Sequence, residues 1–366
     1  MARKLKSDRI LFLATVVLVG LSILMVYSAS AMVAQERYQQ PYLFLTKQAM
    51  WALLGMGCLG IVMRLDYRTY REPTFIWSAL AVATIGLVLV LFSPPVNNAR
   101  RWFALGGLGI QPSELAKLAV IFFIAALLER RMQRINDIKY SLTPVAILVC
   151  GIVALILLEP DFGTALTIVF IASAMVFAAG LNYRYIAGAA LALLPLLVVI
   201  AFAAPYRRAR LLAFTNPWDD PLNTDFQIIQ SLLAIGSGGV TGRGLMRGVQ
   251  KLFYLPYPDT DFIYAVISEE LGLIGATVVL GCFAVIAWRG LRVALQAPDA
   301  FGALLAIGLT TMVALQALAN ISVVLGLMPT KGIPLPFVSY GGSSLLINLV
   351  GMGVLLNISQ HASPET

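Results

Sequence analysis

Residues 10–33 read ILFLATVVLVGLSILMVYSASAMV, a run with no Asp, Glu, Lys or Arg. As an α-helix the run is about 36 Å long, more than the ~30 Å hydrocarbon core of a bilayer. It follows Arg3, Lys4 and Lys6 and contains the small residues Ser28-Ala29-Ser30-Ala31, as a signal peptide would. A signal h-region has only about 7–15 apolar residues, so the run reads as an uncleaved span.

Further runs follow at roughly 43–63, 74–92, 113–128, 142–158, 162–180, 186–204, 262–287, 300–326 and 343–358. They predict an all-α polytopic membrane protein with about ten transmembrane helices. One long outer loop, 205–261, separates spans seven and eight, and the 366 residues read as a single membrane domain. Composition agrees: 59% of residues are apolar and 12% charged, against about 45–50% and 25% in a soluble domain. Disordered chains, disulfide scaffolds and ordinary cytosolic enzymes are excluded. A membrane barrel would alternate over strands of about ten residues, whereas these runs are unbroken.

The net charge of +8 reports loop topology rather than nucleic-acid binding. With the N-terminus inside, Arg3, Lys4, Lys6, Arg9, Arg64, Arg68, Arg71, Arg130, Arg131, Arg134, Lys139, Arg184, Arg289 and Arg292 share one face, nearly all in short loops. An even span count places both termini in the cytoplasm. Most acids lie on the opposite side, and carboxylates near hydrocarbon persist mainly against a wet cavity or a partner. Function is therefore expected in the outer half. Cys58, Cys150 and Cys282 lie in apolar runs and share no motif spacing. The single histidine, His361, sits in the C-terminal tail, which disfavours histidine-based triads and zinc sites. Proton chemistry falls to Asp, Glu, Lys, Tyr or water.

Three outer segments are more than connectors. Residues 93–112 carry Arg100 and Arg101, which are either interfacial anchors or substrate contacts. Residues 327–342 hold three prolines and several glycines yet are apolar, so they are expected to dip into the bundle. The long loop opens with Arg207, Arg208 and Arg210 and holds a helix-like piece from Asp225 to Ile235, with Phe226, Ile229 and Leu233 on one face, as an interfacial helix would. The glycine-dense stretch 236–244 follows, with Arg243, Arg247 and Lys251 close by. It reads either as a phosphate-cradling nest or as a surface turn. The loop ends in Pro258-Asp259-Thr260-Asp261-Phe262. Asp261 reads either as a helix N-cap or as a general base at the membrane surface. Glu269 and Glu270 must face protein, water or a cation. Glu114 and Lys117, at i, i+3 spacing, form a structural pair or line a polar cavity.

Several motifs then coincide. Arg100-Arg101-Trp102, Gln111-Pro112-Ser113-Glu114-Leu115-Ala116-Lys117, Glu159-Pro160-Asp161-Phe162-Gly163-Thr164, Gln250-Lys251-Leu252-Phe253-Tyr254-Leu255-Pro256, Thr260-Asp261-Phe262 and Pro334-Leu335-Pro336-Phe337-Val338-Ser339-Tyr340-Gly341-Gly342 occur in this order. Over nearly its whole length the chain resembles the SEDS family (shape, elongation, division and sporulation) of FtsW and RodA proteins. Asn216-Pro217-Trp218 and Pro329-Thr330-Lys331-Gly332 are closer to its division members than to its elongation members. Asp259 stands where members often carry His.

The resemblance implies a peptidoglycan glycosyltransferase that polymerises lipid II on the outer face of the bacterial inner membrane at the division site. The implied partners are a class B penicillin-binding protein and other division proteins. The family's essential carboxylate falls on Asp261, as base for the acceptor 4-hydroxyl. Arg207, Arg208, Arg210, Arg243, Lys251 and Lys331 are candidates to hold the departing pyrophosphate, and Arg100, Arg101, Glu114, Lys117 and Ser339 complete the expected substrate site. No spacing demands a cofactor, although a divalent cation, Mg or Mn, would suit a pyrophosphate. Three other readings stand beside this one: a RodA-type elongation glycosyltransferase, a lipid II flippase lined by the buried charges, and a non-catalytic scaffold.

Overall fold

The structure is a computed structural model that describes residues 7–95, 99–105, 108–185 and 226–362, with isolated positions between 187 and 218. The described chain forms helices α1 (Arg9–Tyr38), α2 (Leu43–Val62) and α3 (Pro73–Val90), then a hairpin of β1 (Phe103–Leu105) and β2 (Leu108–Ile110). There follow α4 (Pro112–Arg131), α5 (Thr143–Leu158), α6 (Phe162–Ala178), α7 (Phe226–Gly238), α8 (Ile263–Gln296), α9 (Ala300–Val324) and α10 (Gly342–Ser359). Among the described residues seven helical segments, one of them α5 extended back to Ile138, are long and apolar enough to cross a membrane. The predicted span 186–204 lies outside the described residues apart from a few positions. The hairpin, Phe103 paired with Ile110, is a small exception to the all-helical expectation.

Large apolar side chains cover the outside of the bundle, among them Leu13, Leu53, Phe92 and Leu295, as a lipid-facing surface requires. α4 is its axis. Ala116 to Ala126 are buried almost without interruption, and a helix apolar on every side belongs in the interior. It packs on α3, α6, α9 and α10. Polar clasps close the end opposite the functional cavity. Asp8 caps α1 through Ile10 N and Leu11 N, both at 3.0 Å, and pairs with Arg289 of α8 at 2.6 Å. Tyr67 donates its hydroxyl to Asp299 at 2.6 Å.

α8 is broken at Gly272, where φ is 66° and ψ −162°. The segment 239–244 closes the break with backbone hydrogen bonds: Arg243 N to Glu269 O and Gly244 N to Glu270 O, each 3.0 Å, and Leu273 N to Gly239 O, 2.9 Å. Gly242 and Gly272 meet backbone to backbone here, both at positive φ, where a side chain would clash and strain the chain. The glycine-dense stretch is thus a splint for α8, with these N–H groups turned onto the helix, and neither a phosphate nest nor a loose turn. α7 also departs from expectation. Its buried residues include Ile228, Ser231 and Ala234, packed on α8 and α9, while Leu233 is exposed. Small residues at 231, 234 and 238 permit this close docking.

Candidate active site

The N-terminal ends of α4, α6, α8 and α10 converge on a cavity of about 340 Å³. Each N-terminus presents the positive end of the helix dipole, so their convergence favours an anionic ligand. The remaining walls come from the segment before α8, the loop before α10, and the middle of α9.

Asp261 lines this cavity. It stands two residues before α8, whose cap position falls on Phe262 with no side-chain capping bond. Its backbone is tightly held. Asn320 of α9 donates one amide group to both Asp261 O, at 2.7 Å, and Ile333 O, at 2.8 Å. Ser339 donates its hydroxyl to Thr260 O at 2.5 Å and accepts from Leu335 N at 2.8 Å. Tyr340 N donates to Asp259 O at 2.8 Å. The carboxylate lies against the chain at Gly332, where a Cβ would come within 2.9 Å of Oδ2. Asp259, which departs from the histidine common at this place in the resembled family, has its carboxyl raised by burial.

Cations and acids share the walls. Lys117 Nζ sits 2.8 Å from Glu114 Oε1, both side chains 3% exposed, and both line the cavity. Among the described residues Glu114 Oε2 has no hydrogen-bond partner. Arg101 holds the turn between α5 and α6 by donating to Glu159 O, at 3.0 Å, and to Pro160 O. Its guanidinium is 4.0 Å from Asp161. Asp161 caps α6 through Thr164 N at 3.1 Å and accepts from Gln111 Nε2 at 3.2 Å. Lys331 lies beside the cavity, 4.5 Å over the Phe162 ring. Burial lowers its ammonium to about 8, against the pull of Asp161. Burial and the charge of Asp161 raise the Glu159 carboxyl to about 8, with Arg101 opposing.

Of the predicted substrate residues, Arg101, Glu114 and Lys117 therefore meet Asp261 around one cavity, with Lys331 next to it. Ser339 positions the Asp261 turn through hydrogen bonds to backbone. Arg100 turns away, donating to Leu91 O at 2.9 Å. Lys251 is buried in an ion pair with Glu270 at 2.6 Å and a hydrogen bond to Ser28 at 2.7 Å. Arg243 pairs with Glu269 at 3.6 Å. Neither lines the cavity, because the carboxylates inside α8 hold them. Met246 N and Val249 N also donate to Glu270 and Glu269, at 3.0 and 2.8 Å, so the acid pair organises the loop. Arg207, Arg208 and Arg210 lie outside the described residues. The sequence reading missed Asn320 and Gln316, whose only signal was two carboxamides four residues apart in an apolar span. Among the described residues no group of three or more His, Cys, Asp or Glu is arranged to hold a metal ion.

Residues 9–364 match the family model of FtsW, RodA and SpoVE, described as cell cycle protein. A probable peptidoglycan glycosyltransferase FtsW of Geobacter sulfurreducens is 43% identical over 358 residues, covering 97% of this chain and 95% of that protein. Stage V sporulation protein E of Bacillus subtilis is 41% identical, covering 98% and 99%. Among solved structures, one describing structural coordination of polymerization and crosslinking by a peptidoglycan synthase complex superposes with a TM-score of 0.79 at 32% identity, covering 96% and 97% of the two chains. The rod shape determining protein RodA of Thermus thermophilus superposes at 0.70 with 28% identity, covering 98% of each.

Proposed function

We propose, because this chain belongs to the FtsW, RodA and SpoVE family, that the cavity around Asp261 is the active site of a peptidoglycan glycosyltransferase. The chain is an integral membrane protein and its activity is glycosyl transfer in peptidoglycan synthesis. The observation that carries the site assignment is the meeting of a carboxylate, Asp261, with two cations, Lys117 and Arg101, at four converging helix N-termini.

The substrate is lipid II, whose polyprenyl tail stays in the bilayer while its sugars enter the cavity. Asp261 takes the proton of the acceptor 4-hydroxyl as that oxygen bonds to the anomeric carbon of the donor. The bond from that carbon to phosphate breaks, and the lipid pyrophosphate leaves with the electron pair. Lys117, Arg101, Lys331 and the helix ends stabilise the growing negative charge, which is the largest electrostatic task in the step. One displacement inverts the α-linked donor to a β-linked product. The site faces the periplasm, both termini lie in the cytoplasm, and the enzyme works at the division site beside a class B penicillin-binding protein that cross-links the glycan.

The test uses the full-length protein with that partner and fluorescent lipid II. Glycan polymer is expected from the wild type and none from Asp261→Asn, with both proteins equally folded by thermal melting. Polymer from Asp261→Asn at the wild-type rate would remove Asp261 as the base.

A further inference from the structure

Gln316 lies on α9 one helical turn from Asn320, the residue that holds the Asp261 backbone. Its side chain lines the cavity and is 2% exposed. Among the described residues, neither Oε1 nor Nε2 has a hydrogen-bond partner. Buried polar groups are almost always paired, so a wholly unpaired carboxamide inside a span calls for an explanation. Other polar groups of the cavity are held: Lys117 by Glu114, and Asp161 by Gln111 and Thr164. Among the described residues lining the cavity, Gln316 is the carboxamide with both its oxygen and its nitrogen unpaired, and it offers an acceptor and a donor side by side.

A substrate group that pairs the whole amide presents one donor and one acceptor side by side. A pyrophosphate has acceptors only, and a polyprenyl chain has neither. An N-acetylated amino sugar has both on adjacent ring carbons: the acetamido N–H at C2 and an oxygen at C3. We propose that Gln316 reads this pair on the acceptor sugar, with Oε1 accepting from the C2 acetamido N–H and Nε2 donating to the C3 oxygen. The C4 hydroxyl, next along the ring, then faces Asp261. This inference rests on the glycosyltransferase reading and assigns the acceptor's recognition to α9.

The test compares natural lipid II with an analogue whose terminal sugar carries hydrogen in place of the C2 acetamido group. Full-length wild type, Gln316→Leu and Gln316→Met are assayed with the partner protein for kcat/KM. Binding of both lipids is measured as well, with Asp261→Asn as background. Wild type should favour the natural lipid by at least about tenfold, and the Gln316 variants should handle both lipids nearly alike, having lost about tenfold on the natural one. The Met variant keeps the side-chain length if the Leu variant fails to fold. Equal use and equal binding of the two lipids by wild type, or an undiminished preference in a folded Gln316 variant, would overturn the proposal. If wild type makes no polymer at all, the glycosyltransferase reading fails, and the ratio of the two binding constants still decides this one.

Discussion

Replacing Lys117 by Met removes the ammonium that donates to Glu114 Oε1 at 2.8 Å while leaving a carboxylate whose side chain is 3% exposed. Breaking a buried pair from one side costs about 3–5 kcal/mol, because the remaining charge is uncompensated. Glu114→Gln in the same background removes that charge and should restore most of the stability, since the two residues share one interaction. Thermal melting of Lys117→Met, Glu114→Gln and the double variant in one detergent reads this cycle. Activity should follow a different pattern. If the ammonium stabilises charge on the departing pyrophosphate, its loss costs about 2.7–4 kcal/mol of transition-state stabilisation, roughly 10²–10³ in kcat, and the double variant stays slow. A purely structural pair would behave otherwise: the double variant would regain both stability and rate. Wild-type kcat in the stable double variant would therefore refute the cation's role in the chemistry.

Three other outcomes are expected. Asn320→Leu leaves Asp261 O and Ile333 O without their shared donor, so kcat should fall about 10²-fold through misplacement of Asp261 while the lipid II Kd changes little. Lys331 is cationic in the folded chain only below about 8, instead of its ordinary 10.5. Turnover should decline as pH passes 8, and Lys331→Arg should move that decline upward in a pH–rate profile. Glu159, raised to about 8 from 4.5, binds its proton more tightly folded than unfolded. Its stabilising contribution is complete below about 4.5 and lost as pH rises through 8. Melting temperatures should show wild type falling relative to Glu159→Gln between pH 5 and 8.

The spans were legible because hydrocarbon imposes a one-dimensional rule: apolar residues for about 20 positions. The α4 boundary was legible from Pro112 and its charged turn, and Asp261 from its motif. The hairpin has a local signal, Gly106-Gly107 between two short apolar runs, within a segment that the sequence marks only as more than a connector. The roles of Arg243 and Lys251 were misread for a different reason. A cation near glycines in sequence resembles an anion site, but its partner here, Glu269 for Arg243 or Glu270 for Lys251, lies far along the chain on α8.

By itself the amino-acid order determined that the chain lives in a membrane, where its helices run, and which carboxylate to suspect. Each of these depends on local composition or on a contiguous motif. Only the tertiary structure decided which charges meet. Arg101, the Glu114–Lys117 pair of α4, Asp161, Asp261 and Gln316 come from separate helices and loops, and they share one cavity because four helix N-termini converge there. Electrostatics and hydrogen bonding act over a few ångströms of space, so partners far apart along the chain are found only once the packing brings them together.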